Sequence, residues 1–184
     1  MPLHSANQRN EALGRNLRRI ARGDHRAFED LYQVVSPEVY RYLVNRGLPL
    51  DLVEETLQDT FLAIWRGAAA FRGGSAYAWI WGIARHKLND TWRRQGPEYH
   101  RLAEPAPFDG TDPAGESGYV AVQVRDLLEQ LSPGDRDVVH LVFVQELSYR
   151  DVAAVLRIPV GTVKSRVSRI RRQLQRQEEG ERGQ

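Results

Sequence analysis

The sequence predicts an all-α protein made of two small helical domains joined by a flexible linker. Three observations lead there. Apolar residues recur three and four apart through most of residues 23–95 and 119–176, the spacing of a single helix face. Between them, at 96–118, the stretch GPEYHRLAEPAPFDGTDPAGESG holds four Pro and four Gly and almost no apolar periodicity. A structureless run of that length is unusual inside one compact domain, so it reads as a linker. The run VVHLVFV has strand propensity, but helix signals flank it on both sides, so helix is expected there as well.

Taken in order, residues 1–22 form a polar, basic N-terminal extension without the apolar core of a signal peptide. The segment HRAFEDLYQVVSPEVYRYLVNRG puts Phe28, Leu31, Tyr32, Val35, Val39 and Leu43 on one face, with Gly47 as its stop. Pro37 leaves open whether this is one kinked helix or two. DLVEETLQDTFLAIWRG groups Leu57, Phe61, Ile64 and Trp65 and ends at Gly67. A loop, FRGGS, leads into a third helix, AYAWIWGIARHKLNDTWRRQ. Beyond the linker, YVAVQVRDLLEQL opens the second domain, and Ser132 with Pro133 reads as an N-cap and first helical position. Ser148 and Asp151 make an S-x-x-D capping box ahead of Val152 and Val155. Residues 177–184 are expected to be a C-terminal tail.

Composition narrows the function classes. No stretch approaches the ~18 uninterrupted apolar residues of a membrane span, so a cytoplasmic chain with no membrane insertion of its own is expected. Cysteine is absent, which excludes disulfides and thiolate metal sites. The five histidines (His4, His25, His86, His100, His140) show no metal-ligand spacing, so no metal, no cofactor and no catalytic cluster are expected. The formal net charge is only +2, yet it is unevenly spread. Residues 1–95 carry 14 basic and 10 acidic residues, 96–118 carry one and five, and 119–184 carry 11 and nine. Basic blocks that coincide with a helix face point to nucleic acid.

The sharpest case is LRIPVGTVKSRVSRIRRQLQR, Leu156 to Arg176, with seven basic residues and no acidic one. On a helical wheel Val163, Val167, Ile170 and Leu174 form one narrow apolar stripe. Ser165, Ser168, Arg169 and Arg172 lie opposite, flanked by Lys164 and Arg171, while Arg166 sits near the apolar edge. A short amphipathic helix (149–156) and a tight connection through Arg157, Ile158 and Pro159 precede it. This is the layout of a helix-turn-helix, whose second helix enters the DNA major groove. Arg and Lys suit guanine edges, Ser permits close approach, and flanking Arg meets phosphate.

The segment LSPGDRDVVHLVFVQELSYRDVAAVLRIPVGTVKSRVSRIRRQL, and GTVKSRVSR within it above all, resembles region 4 of bacterial RNA polymerase sigma factors, in particular the two-domain extracytoplasmic-function group of the sigma-70 family. GDHRAFEDLYQVVSPEVYRYL, DLVEETLQDTFLAIWR and FRGGSAYAWIWGIARHKLNDTWRR are similar, in that order, to regions 2.1, 2.2 and 2.3–2.4. The resemblance covers about residues 23–176 and places the linker at the family's connector.

It implies a promoter-specificity subunit with core RNA polymerase and promoter DNA as partners, held by an anti-sigma factor, and no enzymatic activity. Region 4 would read the −35 element through Lys164, Ser165, Ser168 and Arg169, with Thr162, Arg171 and Arg172 on phosphates. Regions 2.3 and 2.4 would take the −10 element as melted single strand. Arg72, Gly74 and Ser75 would pocket a flipped base, and Trp79, Trp81, Arg85, His86, Lys87 and Arg93 (with Arg94 beside it) would serve the strand along the next helix. His86 stands where the family commonly has Asn. Region 2.2 would dock on the polymerase through Asp51, Glu54, Glu55, Gln58 and Asp59, with Phe61 and Trp65 below; its opening DLVE departs from the family's usual Asp-Ala-Glu-Asp. The alternatives are a helix-turn-helix transcription regulator that does not join polymerase, and, ranked below it, an enzyme or a protein-only adaptor.

Overall fold

A computed structural model gives the structure of the chain and describes residues 2–96 and 131–182; side chains are described from Asn7 to Arg176, Leu174 excepted. The chain divides into two compact units, Met1–Ala106 and Pro107–Gln184, and the division falls within the expected linker. The rest of that linker, the YVAVQVRDLLEQ segment and the Leu174 side chain of the apolar stripe lie outside the described residues. Within them every regular element is helical.

The first unit opens with a helix that the sequence reading left as an extension: α1, Pro2–Ile20. Leu13, Leu17 and Ile20 recur at helical spacing and are buried, which is what docks α1 on its neighbours. Arg22, Gly23 (φ +84°) and Asp24 then turn the chain, with Asp24 N–H returning to Arg19 O at 3.2 Å.

Asp24 caps α2 (His25–Asn45) by accepting from Ala27 N–H at 3.1 Å, and Arg19 Nε donates to its other oxygen at 2.9 Å. The α2 helix runs unbroken through Pro37. Proline removes the hydrogen bond to the carbonyl four residues back, but Pro37 and Gln33 both face solvent, where water donates to that carbonyl instead. α2 ends in a Schellman motif: Leu48 N–H bonds to Leu43 O, Gly47 N–H to Val44 O, Gly47 takes φ +76° and Leu48 is buried.

α3 (Leu50–Gly67) packs on both α2 and α4, so its buried stripe is wider than the wheel predicts. Phe61 and Ile64 are buried as expected, but Leu57 and Trp65 are half-buried, while Val53, Thr56 and Thr60 go inside. The two threonines are satisfied there: Thr56 Oγ1 lies 2.9 Å from Thr91 Oγ1, and Thr60 Oγ1 donates to Thr56 O at 2.7 Å. A 3₁₀ turn, Ala68–Ala70, and the loop at 71–75 lead to α4 (Ala76–Gln95), whose N-cap Ser75 accepts from Ala78 N–H at 3.1 Å.

In the second unit Ser132 caps α5 (Pro133–Val139) with a reciprocal box: Asp135 N–H to Ser132 Oγ at 3.2 Å and Ser132 Oγ–H to Asp135 Oδ2 at 2.6 Å. VVHLVFV is helical as expected, although His140–Val144 forms a π turn rather than α-helix. Ser148 and Asp151 form the expected capping box on α6 (Tyr149–Leu156). Arg157 then takes a left-handed conformation (φ 54°, ψ 46°) and Ile158 N–H returns to Ala153 O at 3.1 Å, closing the tight turn before α7 (Val160–Arg182). α7 extends through most of the residues expected to be a tail. Val163, Val167 and Ile170, no more than 2% exposed, seat it against α5 and α6.

Candidate nucleic-acid interface

The turn and the apolar row of α7 leave the opposite face open. Lys164, Ser165, Ser168, Arg171 and Arg172 are exposed and Thr162 is half-buried. Ser165 Oγ–H donates to Thr162 O at 3.0 Å and Arg172 Nε to Ser168 O at 3.4 Å, so these groups lie along their own helix. Arg171 sits over the Phe143 ring, 5.6 Å from its centroid.

Arg169 departs from the expectation. Its Nη2 donates to both carboxylate oxygens of Asp135, at 2.8 and 2.7 Å, and Arg166 Nε stands 3.9 Å from the same carboxylate. Asp135 is buried, and a buried carboxylate needs a cation and full hydrogen bonding. Arg169 therefore ties α7 to α5 rather than standing free for a base. Arg166 lies close over Gly134, consistent with its place near the apolar edge.

In the first unit the loop at 71–75 is bare at its tip. Arg72, Gly73 and Gly74 are exposed, and both glycines take positive φ (+101° and +83°), a region that disfavours any side chain. Ser75 is occupied as the α4 cap. The two tryptophans separate. Trp79 is half-buried, its ring against Gly67 and 5.9 Å from Phe71. Trp81 is fully buried and packs edge-on to Tyr42 at 5.2 Å and Tyr77 at 6.3 Å. It is a core residue, and the expectation that it meets DNA is corrected on that ground.

The cations of α4 are largely paired. Lys87 lies 3.8 Å from Asp59, Arg94 reaches Glu55 at 3.2 Å and Asp59 at 3.9 Å, and His86 stands 3.4 Å from Asp90, which also holds Arg93. Arg85 is half-buried. Two of the five acidic or amide groups expected to meet the polymerase thus face α4, while Asp51, Glu54 and Gln58 are exposed. Phe61 is 2% exposed and belongs to the core, a second correction. Trp65 is half-buried, stacked on His25 at 4.7 Å with Phe28 at 5.2 Å.

Residues 31–98 match the Sigma-70 region 2 family and residues 121–174 match Sigma-70, region 4. The ECF RNA polymerase sigma factor SigC of Mycobacterium tuberculosis is 35% identical over 156 residues, spanning 82% of this chain and 83% of that protein. The chain belongs to the sigma-70 family, in its extracytoplasmic-function group.

This sigma factor is also similar to the ECF RNA polymerase sigma factor SigW of Bacillus subtilis, 25% identical over 179 residues, or 90% of this chain and 96% of that one. Among solved structures, the sigma factor RpoE in complex with the anti-sigma factor NepR from Bartonella quintana matches with a TM-score of 0.66 and 26% identity over 81% of this chain and 94% of that one. CnrH, solved in complex with the cytosolic domain of CnrY, matches with a TM-score of 0.65 and 26% identity over 92% and 98%. The sigma factor acts in transcription initiation by RNA polymerase, and nothing supports the reading as a regulator that stays off the polymerase. No helix among its described residues is long and apolar enough to cross a membrane.

Sequence reasoning missed α1 and Asp135. The Leu13, Leu17, Ile20 spacing was a usable signal for α1, hidden by an overall polar segment. Asp135 pairs with a residue 34 positions away, and no local pattern marks such a contact.

Proposed function

We propose that this sigma factor directs core polymerase to its promoters by a two-site grip. α7 reads the −35 duplex with Lys164, Ser165 and Ser168 toward base edges and Thr162, Arg171 and Arg172 toward phosphates. The exposed loop of Arg72, Gly73 and Gly74 captures an unpaired −10 base, with Trp79 and the exposed C-terminal end of α4 around Arg93 supporting the strand. The exposed acids Asp51 and Glu54, with Gln58 and the half-buried Trp65, dock on a basic surface of the polymerase, a charge arrangement that also repels DNA from that face.

The observation that carries this reading is the exposed Lys164, Ser165, Ser168 and Arg172 face on a helix whose other side is locked into a helix-turn-helix. RpoE and CnrH were each solved bound to a partner, in RpoE's case an anti-sigma factor, which supports an anti-sigma partner here that masks one or both domains. The protein itself carries out no bond chemistry and works in the cytoplasm, where the polymerase is.

Runoff transcription with core polymerase on genomic fragments tests the proposal. Specific initiation that depends on the added chain is expected. A chain that binds specific duplex on its own yet neither binds core enzyme nor supports initiation sinks it.

A further inference from the structure

Both ends of the strand-capture loop rest on α1. At its entry, Phe71 lies 3.8 Å from the position a Cβ would take on Gly14. At its exit, Asn10 Oδ1 accepts the Tyr77 N–H at 3.1 Å and the Ser75 Oγ–H at 3.5 Å. The first donors of a helix have no partner within it. Here Ala78 N–H is capped by Ser75, and Tyr77 N–H by a side chain 67 residues earlier in the chain.

The residue beside Asn10 holds the other end of the same tyrosine. Arg9 Nη2 pairs with Glu38 Oε1 at 2.5 Å, and the Tyr77 hydroxyl donates to Glu38 Oε2. The Arg9 guanidinium also lies 4.9 Å from the Tyr77 ring centroid. Burial, with Glu38 adding to it, pushes the Tyr77 phenol far above its ordinary value, so it remains a donor to Glu38. Tyr77 is thus gripped at its backbone and at its phenol through two consecutive residues of α1.

The tip between those ends is exposed, and nothing lies within 4 Å of a Cβ built on Gly73 or Gly74. Its direction is set where it is anchored. We propose that α1 is a positioning element for strand capture, and that Asn10 is the positioning residue: by fixing Ser75 and the first turn of α4 it aims Arg72, Gly73 and Gly74. The inference rests on the reading of that loop as the site of −10 capture.

The test uses holoenzyme assembled with full-length chain. The probe is single-stranded DNA selected against wild-type holoenzyme from a randomised oligonucleotide pool. Capture of the probe is measured beside core-polymerase affinity and thermal unfolding. Asn10→Leu removes the acceptor, whereas Asn10→Asp keeps one and suits a helix N-terminus. Expected are capture weakened about ten-fold by Asn10→Leu, the size of one lost hydrogen bond, core affinity unchanged, and capture restored to within about two-fold of wild type by Asn10→Asp.

Wild-type capture by Asn10→Leu overturns the inference, as does a loss in both variants that simply follows their unfolding temperatures. Arg72→Ala separates the two layers. If it loses capture while Asn10→Leu keeps it, only the role of α1 fails. If Arg72→Ala leaves capture intact, the reading of the loop fails and the inference goes with it.

Discussion

A single guanidinium nitrogen of Arg169 bridges both carboxylate oxygens of Asp135, joining α7 to the first turn of α5. The carboxylate side chain is 7% exposed and the arginine 55%, so the acid is the buried member and the arginine its solvated counterion. Asp135 also receives the Ser132 hydroxyl and so serves a helix cap and a helix–helix tie at once.

Asp135→Ala is therefore expected to destabilise the C-terminal unit by roughly 1.5–3 kcal/mol, the range for losing a hydrogen bond to a charged group. Thermal unfolding of the full chain measures it. −35 affinity should fall with stability, and Arg169→Ala should behave in the same way. A loss of −35 affinity by Arg169→Ala with unfolding untouched would return that arginine to base reading.

Lys164→Ala and Arg172→Ala are expected to behave differently. Both side chains are exposed on the open face of α7, so their removal should leave unfolding unchanged. Loss of a phosphate contact should lower affinity across sequences and reduce the slope of log affinity against log salt by about one. Loss of a base contact should instead relax preference at one position. Titrating duplex promoter binding by holoenzyme against salt distinguishes the two for each residue.

Glu54 is exposed on α3, whereas Glu55 and Asp59 are drawn toward Arg94 and Lys87 of α4. Glu54→Lys is expected to weaken core-polymerase binding at least ten-fold at low salt, with less effect at high salt as charges are screened. Glu55→Ala, which breaks only an exposed pair, should change stability by less than about 1 kcal/mol. Equal core affinity for Glu54→Lys and wild type would place the docking surface elsewhere.

The α2 cap gives a pH signature. The Ala27 N–H holds the Asp24 carboxyl below its ordinary value of 3.8, with Arg19 assisting. A depressed carboxyl contributes stability that is complete above the unfolded value and is lost as pH falls through the folded one. Asn keeps the capping acceptor without the charge. The gap in unfolding temperature between wild type and Asp24→Asn should hold steady at neutral pH and close as pH drops below 3.8. A gap that persists at lower pH would mean the charge is not its source.

Much of this was legible in the residues. Ser132, Ser148 and the α7 stripe follow local rules, so caps and the recognition helix could be placed from short windows. The linker announced itself by composition. What escaped depends on partners far apart in sequence. Nothing in the apolar spacing of α3 marks Thr56 and Thr60 as interior; α4 brings Thr91 beside Thr56 and makes them so. Trp81 reads as a stacking platform until Tyr42 and Tyr77 enclose it. Arg169 sits on the polar side of a wheel that contains only its own helix. A wheel cannot register a second helix arriving at the flank.

The π turn at His140–Val144 bears on how length changes are absorbed. A π turn accommodates one residue more than an α turn. Here the surplus is spent in solvent: Phe143 and Val144 are 44% and 61% exposed, while Leu141 before them and Leu147 after them stay inside. Because Arg171 covers the Phe143 ring, Val144 is the residue whose deletion is expected to regularise the helix without shifting the cap at Ser148. The π turn is thus the point between α5 and α6 at which loss of one residue is expected to leave Leu141 and Leu147 in the core.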